Sequence, residues 1–202
     1  MARIGIYGGT FDPPHIGHLH AAQAAQAELM LDRVLFIPSN IPPHKALSAN
    51  SASPQQRFEM VSLAVSSYPW AEVSDIEITT EGKSYTVDTL RKLRLTYPND
   101  EIWMIIGTDM LLTLDKWYCP ETIMQLANIA AVGRNVGDMP ALAEAEKKLE
   151  DQFRAKIRIV DCPPLPLSST EVRHLVGTEK LSEVVTRNVC AYIRDNGLYR
   201  QA

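Results

Sequence analysis

Five short runs rich in Ile and Val, at residues 3–7, 33–37, 102–106, 129–132 and 157–160, are each followed by a segment with helical spacing of its apolar residues. A weaker run of the same kind lies near 72–76. Alternation of this sort is what a parallel sheet with crossover helices requires, since parallel neighbours can be joined only by a connection long enough to return along the sheet. Helices are expected over 16–30, 55–66, 86–96, 110–114, 121–127, 141–153, 171–176 and 186–195. The expected fold class is therefore α/β: a doubly wound, Rossmann-like parallel sheet with flanking helices. It is read as one domain over 1–202 with a C-terminal helical segment from about 168. In such folds ligands bind beyond the carboxyl ends of the strands, which directs attention to the strand exits.

Composition narrows the partners. The 202 residues are 46% hydrophobic, enough for a substantial core in one domain. With 20 basic and 24 acidic side chains the net charge is -4, which supplies no field to hold a long polyanion, so nucleic acid is not an expected partner. No run approaches the roughly 18 to 20 apolar residues of a membrane span, and MARIGIYGGT lacks the apolar stretch of a signal peptide, so a cytoplasmic protein is expected. Cys119, Cys162 and Cys190 are far apart and in no CxxC spacing, which suggests neither a disulfide framework nor a zinc site. The one loop-rich tract, 38–54, is long enough in a compact domain to be read as functional. Oligomeric state is not legible here.

The first strand runs directly into Gly8-Gly9-Thr10-Phe11-Asp12-Pro13-Pro14-His15-Ile16-Gly17-His18 and then a helix, where an α/β fold presents backbone N–H groups to an anion. The glycines suit a turn and a close approach of phosphate to the backbone, and Asp12 before two prolines suits a stiff turn. His15 and His18, three apart, share one face at the positive pole of the helix. Near the other end, Ser168-Ser169-Thr170-Glu171-Val172-Arg173 reads as a capping box in which Ser168 caps and Glu171 reaches back. Arg173 in a first helical turn would oppose the helix dipole unless an anion sits there.

Both segments carry a resemblance. GGTFDPPHIGH resembles the GxFDPxHxGH signature of the nucleotidyltransferase superfamily with an HxGH motif, and Ser168 to Arg173 is similar to its S[ST]TxxR motif. The middle of the chain resembles the bacterial nicotinate mononucleotide adenylyltransferases in three places. Pro38 to Lys45 resembles PxxxPPHK, Ser84 to Leu90 resembles SYTxxTL, and Gly107 to Trp117 resembles GxDxxxxLxxW. Arg134 matches an arginine of that family, and the closing Gly197-Leu198-Tyr199 also falls within the resemblance; the tract 137–154 is the least family-like.

The resemblance implies transfer of the adenylyl group of ATP to nicotinate mononucleotide, giving deamido-NAD and pyrophosphate, with Mg²⁺ entering on the triphosphate. It implies an ATP site of Gly8, Gly9, Thr10, Phe11, His15, His18, Ser168, Ser169, Thr170 and Arg173, with His15, His18, Lys45 and Arg173 stabilising charge. It implies an acceptor site of Lys45, Thr86, Gly107, Asp109, Trp117, Tyr118 and Arg134. Amides beside Thr86 and Tyr118 receive the carboxylate there, and Asp109 approaches the sugar. A lone Trp is more often a core residue than a platform, but the place of Trp117 after the Gly107 to Asp109 strand exit reverses that, and it offers a flat ring the largest aromatic platform. Two other readings stay open: another adenylyltransferase, such as the pantetheine-phosphate type, and a nucleotide-sensing module that kept the fold without turnover.

Overall fold

In the computed structural model, which describes residues 1–43, 48, 50–133, 139–163 and 165–200, the Ile- and Val-rich runs are the strands. They are β1 (Arg3–Gly9), β2 (Arg33–Pro38), β3 (Ala71–Val73), β4 (Glu101–Gly107), β5 (Asn128–Val132) and β6 (Ile157–Val160). All neighbours pair in parallel in the order β3-β2-β1-β4-β5-β6. The order reverses between β1 and β4, and the carboxyl ends of those two strands define the crevice of a doubly wound sheet.

Successive side chains of each strand point to opposite faces, so continuous apolar runs serve two cores at once. In β4, Ile102, Met104 and Ile106 enter one core while Trp103 and Ile105 enter the other. In β2 the pairs are Leu35 with Ile37 and Val34 with Phe36. The first core lies under α3 (Thr86–Thr96), α5 (Pro120–Leu126) and α6 (Met139–Phe153). The second lies under α1 (Ile16–Glu28), α2 (Pro54–Val65) and α9 (Arg187–Asp195). Gly5 in β1 is required by this second core, because a Cβ there would meet Leu31 at 2.8 Å.

Local signals set the helix ends. Ser53 caps α2 with a capping box to Gln56, and Pro54 takes the first helical position, where a missing N–H is harmless. Ala22 and Ala25 are fully buried on α1 and bring it close to the sheet. Met30, in the left-handed region at φ 50°, follows its end.

Three expectations are corrected, and one element was not expected. The strand expected at 72–76 is Ala71–Val73, since from Ser74 the chain turns away. The helix expected at 110–114 is α4 (Thr108–Leu111), N-capped by Gly107 and followed by a 3-10 turn at Leu114–Lys116. The helix expected at 171–176 is α7 (Ser169–His174), capped by Ser168. α8 (Leu181–Val184), a single turn, had no helical spacing by which to be seen. Cys119, Cys162 and Cys190 are all unpaired thiols, and among the described residues no helix is long and apolar enough to cross a membrane.

Candidate active site

The glycines of the first motif do not turn: Gly8 and Gly9 are the last residues of β1. Their lack of side chains has two separate causes. A Cβ on Gly9 would meet the Phe11 ring at 2.9 Å, whereas one on Gly8 would meet nothing within 4 Å and would project into the crevice. The turn comes later, at Phe11, whose φ of 51° and fully buried ring swing the chain under itself.

His15 is the N-cap of α1. Its backbone N–H donates to Nδ1 of His18 at 3.2 Å, and the two imidazoles stack with centroids 3.7 Å apart. Because Nδ1 of His18 accepts, Nε2 is the nitrogen that carries the hydrogen. Phe11 packs edge-on against the same ring at 5.0 Å, and His15 is buried. Gly17 completes the set for a steric reason, since a Cβ there would come within 3.0 Å of Nδ1 of His15. The HxGH pattern thus describes two stacked rings and the space that one of them needs.

The second motif docks on the first across the whole length of the chain. Ser169 Oγ donates to the Pro13 carbonyl at 3.0 Å, and Arg173 Nη1 donates to the Asp12 carbonyl at 2.6 Å. Arg173 Nη2 donates to Thr170 Oγ1 at 3.0 Å. The capping box is present: Ser168 Oγ accepts from the Glu171 N–H at 3.2 Å and donates to Glu171 Oε2 at 2.7 Å. That hydroxyl and its N–H hold the Glu171 carboxyl below the usual carboxylate range. The hydroxyl hydrogens of Ser168 and Ser169 are therefore already engaged inside the protein. Arg173 also corrects its expected place, for in a six-residue helix it stands in the last turn, where the dipole favours a cation.

These parts line a cleft of ≈ 430 Å³ beyond the ends of β1, β2 and β4. Its phosphate-type wall is Gly8, Gly9, Thr10, Phe11, His15, His18, Ser168, Ser169 and Thr170. Its other wall is Thr86, Gly107, Trp117 and Tyr118, with Ser39, Glu77, Ser84, Tyr85 and Met110. Tyr118 stands over Tyr85 with centroids 5.0 Å apart, and Trp117 follows the 3-10 turn that Leu114 anchors in the core. The tract after β2 is stitched to this wall by Asn40 N–H to Ser84 Oγ at 2.9 Å and Ser84 N–H to the Ile41 carbonyl at 2.9 Å. Asp109 is exposed in the first turn of α4, and neither it nor Arg173 is part of the lining. Lys45 and Arg134 lie outside the described residues.

Sequence reasoning missed three residues. Glu77 lines the cleft, and burial pushes its carboxyl up against the opposing pull of the Thr89 and Ser84 hydrogen bonds and of Lys92. Arg57 is fully buried on α2, and its position on the same stripe as Met60, Val61 and Ala64 was a readable signal. Tyr199 reaches Asp12 from the end of the chain with no signal beyond its place in the family-like Gly-Leu-Tyr.

A doubly wound parallel sheet with two facing histidines at the start of the helix after its first strand defines an α/β protein of the kind whose ligands bind at the switch point of the sheet. The family described as Cytidylyltransferase-like matches residues 6–175. The chain is 40% identical over 201 residues to the probable nicotinate-nucleotide adenylyltransferase of Carboxydothermus hydrogenoformans, covering 98% of each. It is 37% identical over 207 residues to that of Neisseria meningitidis serogroup C, covering 100% of each. In fold it is similar to Plasmodium falciparum nicotinic acid mononucleotide adenylyltransferase complexed with NaAD. That match has a TM-score of 0.80 at 17% identity and covers 98% of both chains. This chain belongs to the cytidylyltransferase-like family and, within it, to the nicotinate-nucleotide adenylyltransferases.

Proposed function

We propose that this chain transfers the adenylyl group of ATP to nicotinate mononucleotide, releasing pyrophosphate and forming deamido-NAD. One observation carries the reading: two anion-recognising segments from opposite ends of the chain, latched together by Ser169 and Arg173, form one wall of a cleft. Trp117, Tyr118 and the start of α3 form the other.

A phosphate oxygen of the mononucleotide attacks the α-phosphorus of ATP in line. The bond to the oxygen bridging the α- and β-phosphates breaks, and pyrophosphate leaves. The attacking monoester is already ionised near neutral pH, so no protein nucleophile or strong base is required, and the enzyme's work is positioning and charge stabilisation. His18, with its hydrogen on Nε2, donates to a phosphate oxygen. His15 holds that tautomer through its N–H and stacks behind it. The N–H groups where α7 begins meet the β- and γ-phosphates, and Arg173 and Lys45 contribute positive charge toward them. ATP enters as its Mg²⁺ complex, the ion held by phosphate oxygens and water.

The acceptor's ring lies against Trp117 and its carboxylate meets the start of α3, whose N-cap Tyr85 provides no side-chain cap of its own. By contrast Ser53, Ser168 and Thr186 all cap their helices with a side chain. Asp109, Arg134 and Gly107 serve the sugar and phosphate of the acceptor. Pyrophosphate release by purified protein with ATP, Mg²⁺ and each of nicotinate mononucleotide, nicotinamide mononucleotide and pantetheine phosphate tests the reading. It fails if nicotinate mononucleotide is not the best acceptor.

A further inference from the structure

Behind the phosphate-type wall lies a buried cluster that the reaction above does not use. Asp12 is 2% exposed, and its Oδ1 accepts from the Tyr199 hydroxyl at 2.7 Å and from the Ala52 N–H at 3.0 Å. Its Oδ2 lies 3.8 Å from Nη1 of Arg173, the nitrogen that also donates to the Asp12 carbonyl. Arg57 donates to three main-chain carbonyls: Thr10 at 2.8 Å, Asn40 at 3.0 Å and Ala52 at 3.3 Å. One guanidinium thereby ties together the segments that follow β1 and β2 and the start of α2.

Tyr199 gets there by a specific backbone route. After α9 the chain turns at Gly197, φ 62°, with Leu198 N–H returning to the Ile193 carbonyl at 3.0 Å. This left-handed helix ending suits glycine, and it drives the next aromatic residue inward. Tyr199 itself, at φ 59°, is buried with its hydroxyl on Asp12, 187 residues away in sequence. Burial and the neighbouring Asp12 raise the phenol, so it remains a donor across the working pH range. An arginine on the apolar stripe of a helix and a tyrosine at the end of a chain are costly ways to fill a core, because each brings polar groups that must all be paired. Here the hydrogen-bond partners of both lie on loops that reach the cleft wall or its backing.

We infer that Tyr199 and Arg57 are positioning residues for the adenylyl transfer. They hold Asp12 and Thr10, and through them they fix residues 10–15 and the Arg173 guanidinium where the triphosphate lies. The inference rests on the proposed function, and it is separable from it. Tyr199→Phe keeps the ring in the core and deletes one donor. It lowers kcat by roughly tenfold or more, because misplacement of charge-stabilising groups acts on the transition state, while KM for nicotinate mononucleotide stays within about twofold. Amide hydrogen exchange at Asp12 and His15 quickens, and that of α3 does not change. Arg57→Lys keeps the charge but loses the planar fork, and it gives the same pattern. In an Asp12→Ala background, adding Tyr199→Phe lowers kcat no further.

Wild-type kcat in Tyr199→Phe with unchanged exchange at Asp12 and His15 overturns the inference. So do losses that simply add in the double variant, which would mean that Tyr199 acts on stability without passing through Asp12. If the wild type releases no pyrophosphate with any acceptor, the proposed function falls, and the exchange measurement alone then decides for or against the clasp.

Discussion

The two ends of the cleft are built by opposite strategies. At the phosphate end the residues come from the extremes of the chain and are cross-linked at almost every step: Ser169 to Pro13, Arg173 and Tyr199 to Asp12, Arg57 to Thr10. At the acceptor end the residues come from the middle of the chain, and the wall is made of surfaces. Tyr118 is 57% exposed and Met110 44%, whereas His15 on the opposite wall is 5% exposed. In the proposed reading, the difference follows from what each end handles. Charge that develops during phosphoryl transfer is stabilised best by dipoles that cannot reorient, whereas a flat ring is held by area and a few directed hydrogen bonds. Damage at the phosphate end should therefore appear in kcat, and damage at the acceptor end in KM and in the choice of substrate.

The largest expected effect lies at the acceptor end. Backbone N–H groups aimed at a carboxylate face the NH₂ of an amide donor against donor, and a site whose polar groups are left unpaired rejects the wrong partner by as much as about 10⁴. Competition kinetics should show nicotinate mononucleotide strongly favoured over the amide in kcat/KM. Equal turnover would mean that the start of α3 does not receive the carboxylate. Next comes His18→Ala, expected to lower kcat by roughly 10² or more with the fold intact, as for loss of one donor to transition-state charge. A near-normal kcat would remove His18 from the mechanism and with it the contrast between the two ends.

The strands and the two motifs were legible because each is written locally: continuous Ile- and Val-rich runs in the strands, a strand-to-helix junction at His15 and a capping box at Ser168. Relations between distant segments were not legible. Nothing near Arg173 says that it will stand in a last turn with its guanidinium on the Asp12 carbonyl, since that depends on where α7 stops. Gly8 and Gly9 suggested a turn, although strand pairing to β2 continues through both, with partners Ile37 and Pro38. The family resemblance named Thr86, Gly107, Trp117 and Tyr118 of the acceptor wall but not Glu77, which lies just beyond the weak apolar run near 72–76. A buried charge is announced in sequence only when it interrupts an apolar stripe, as Arg57 does.

Two substitutions of intermediate size probe one wall each. Arg173→Ala removes a cation that serves both Asp12 and, in the proposed reading, the β- and γ-phosphates, so ATP should bind about tenfold more weakly or worse, with AMP much less affected. Titration calorimetry with both nucleotides separates the roles; equal losses would leave Arg173 with Asp12 alone. Trp117→Ala should weaken the mononucleotide by about 1 to 3 kcal/mol through lost stacking while ATP binding stays nearly unchanged. If ATP weakens equally, Trp117 supports the cleft as a whole and the division into two ends is too sharp.

The smallest expected effect concerns the half-buried carboxyl of the acceptor wall. Among the described residues Glu77 makes no ion pair within salt-bridge distance; the Thr89 hydroxyl donates to its Oε1 at 2.6 Å, and burial raises its pKa despite that bond and the more distant Lys92. A carboxyl raised in the fold binds its proton more tightly folded than unfolded. Its contribution to stability is therefore complete below the unfolded value, about 4.3, and is lost as pH rises through the folded value. Glu77→Gln, which cannot ionise, escapes this loss. Relative to the wild type its Tm should climb as pH goes from about 4 to neutrality, and the gap should level off once Glu77 has ionised in the folded wild type. Thermal unfolding of both proteins across that range is the measurement. A gap that stays constant would mean that Glu77 ionises as readily inside the cleft wall as in water, and a gap that narrows would mean that Lys92 and the hydroxyls outweigh burial.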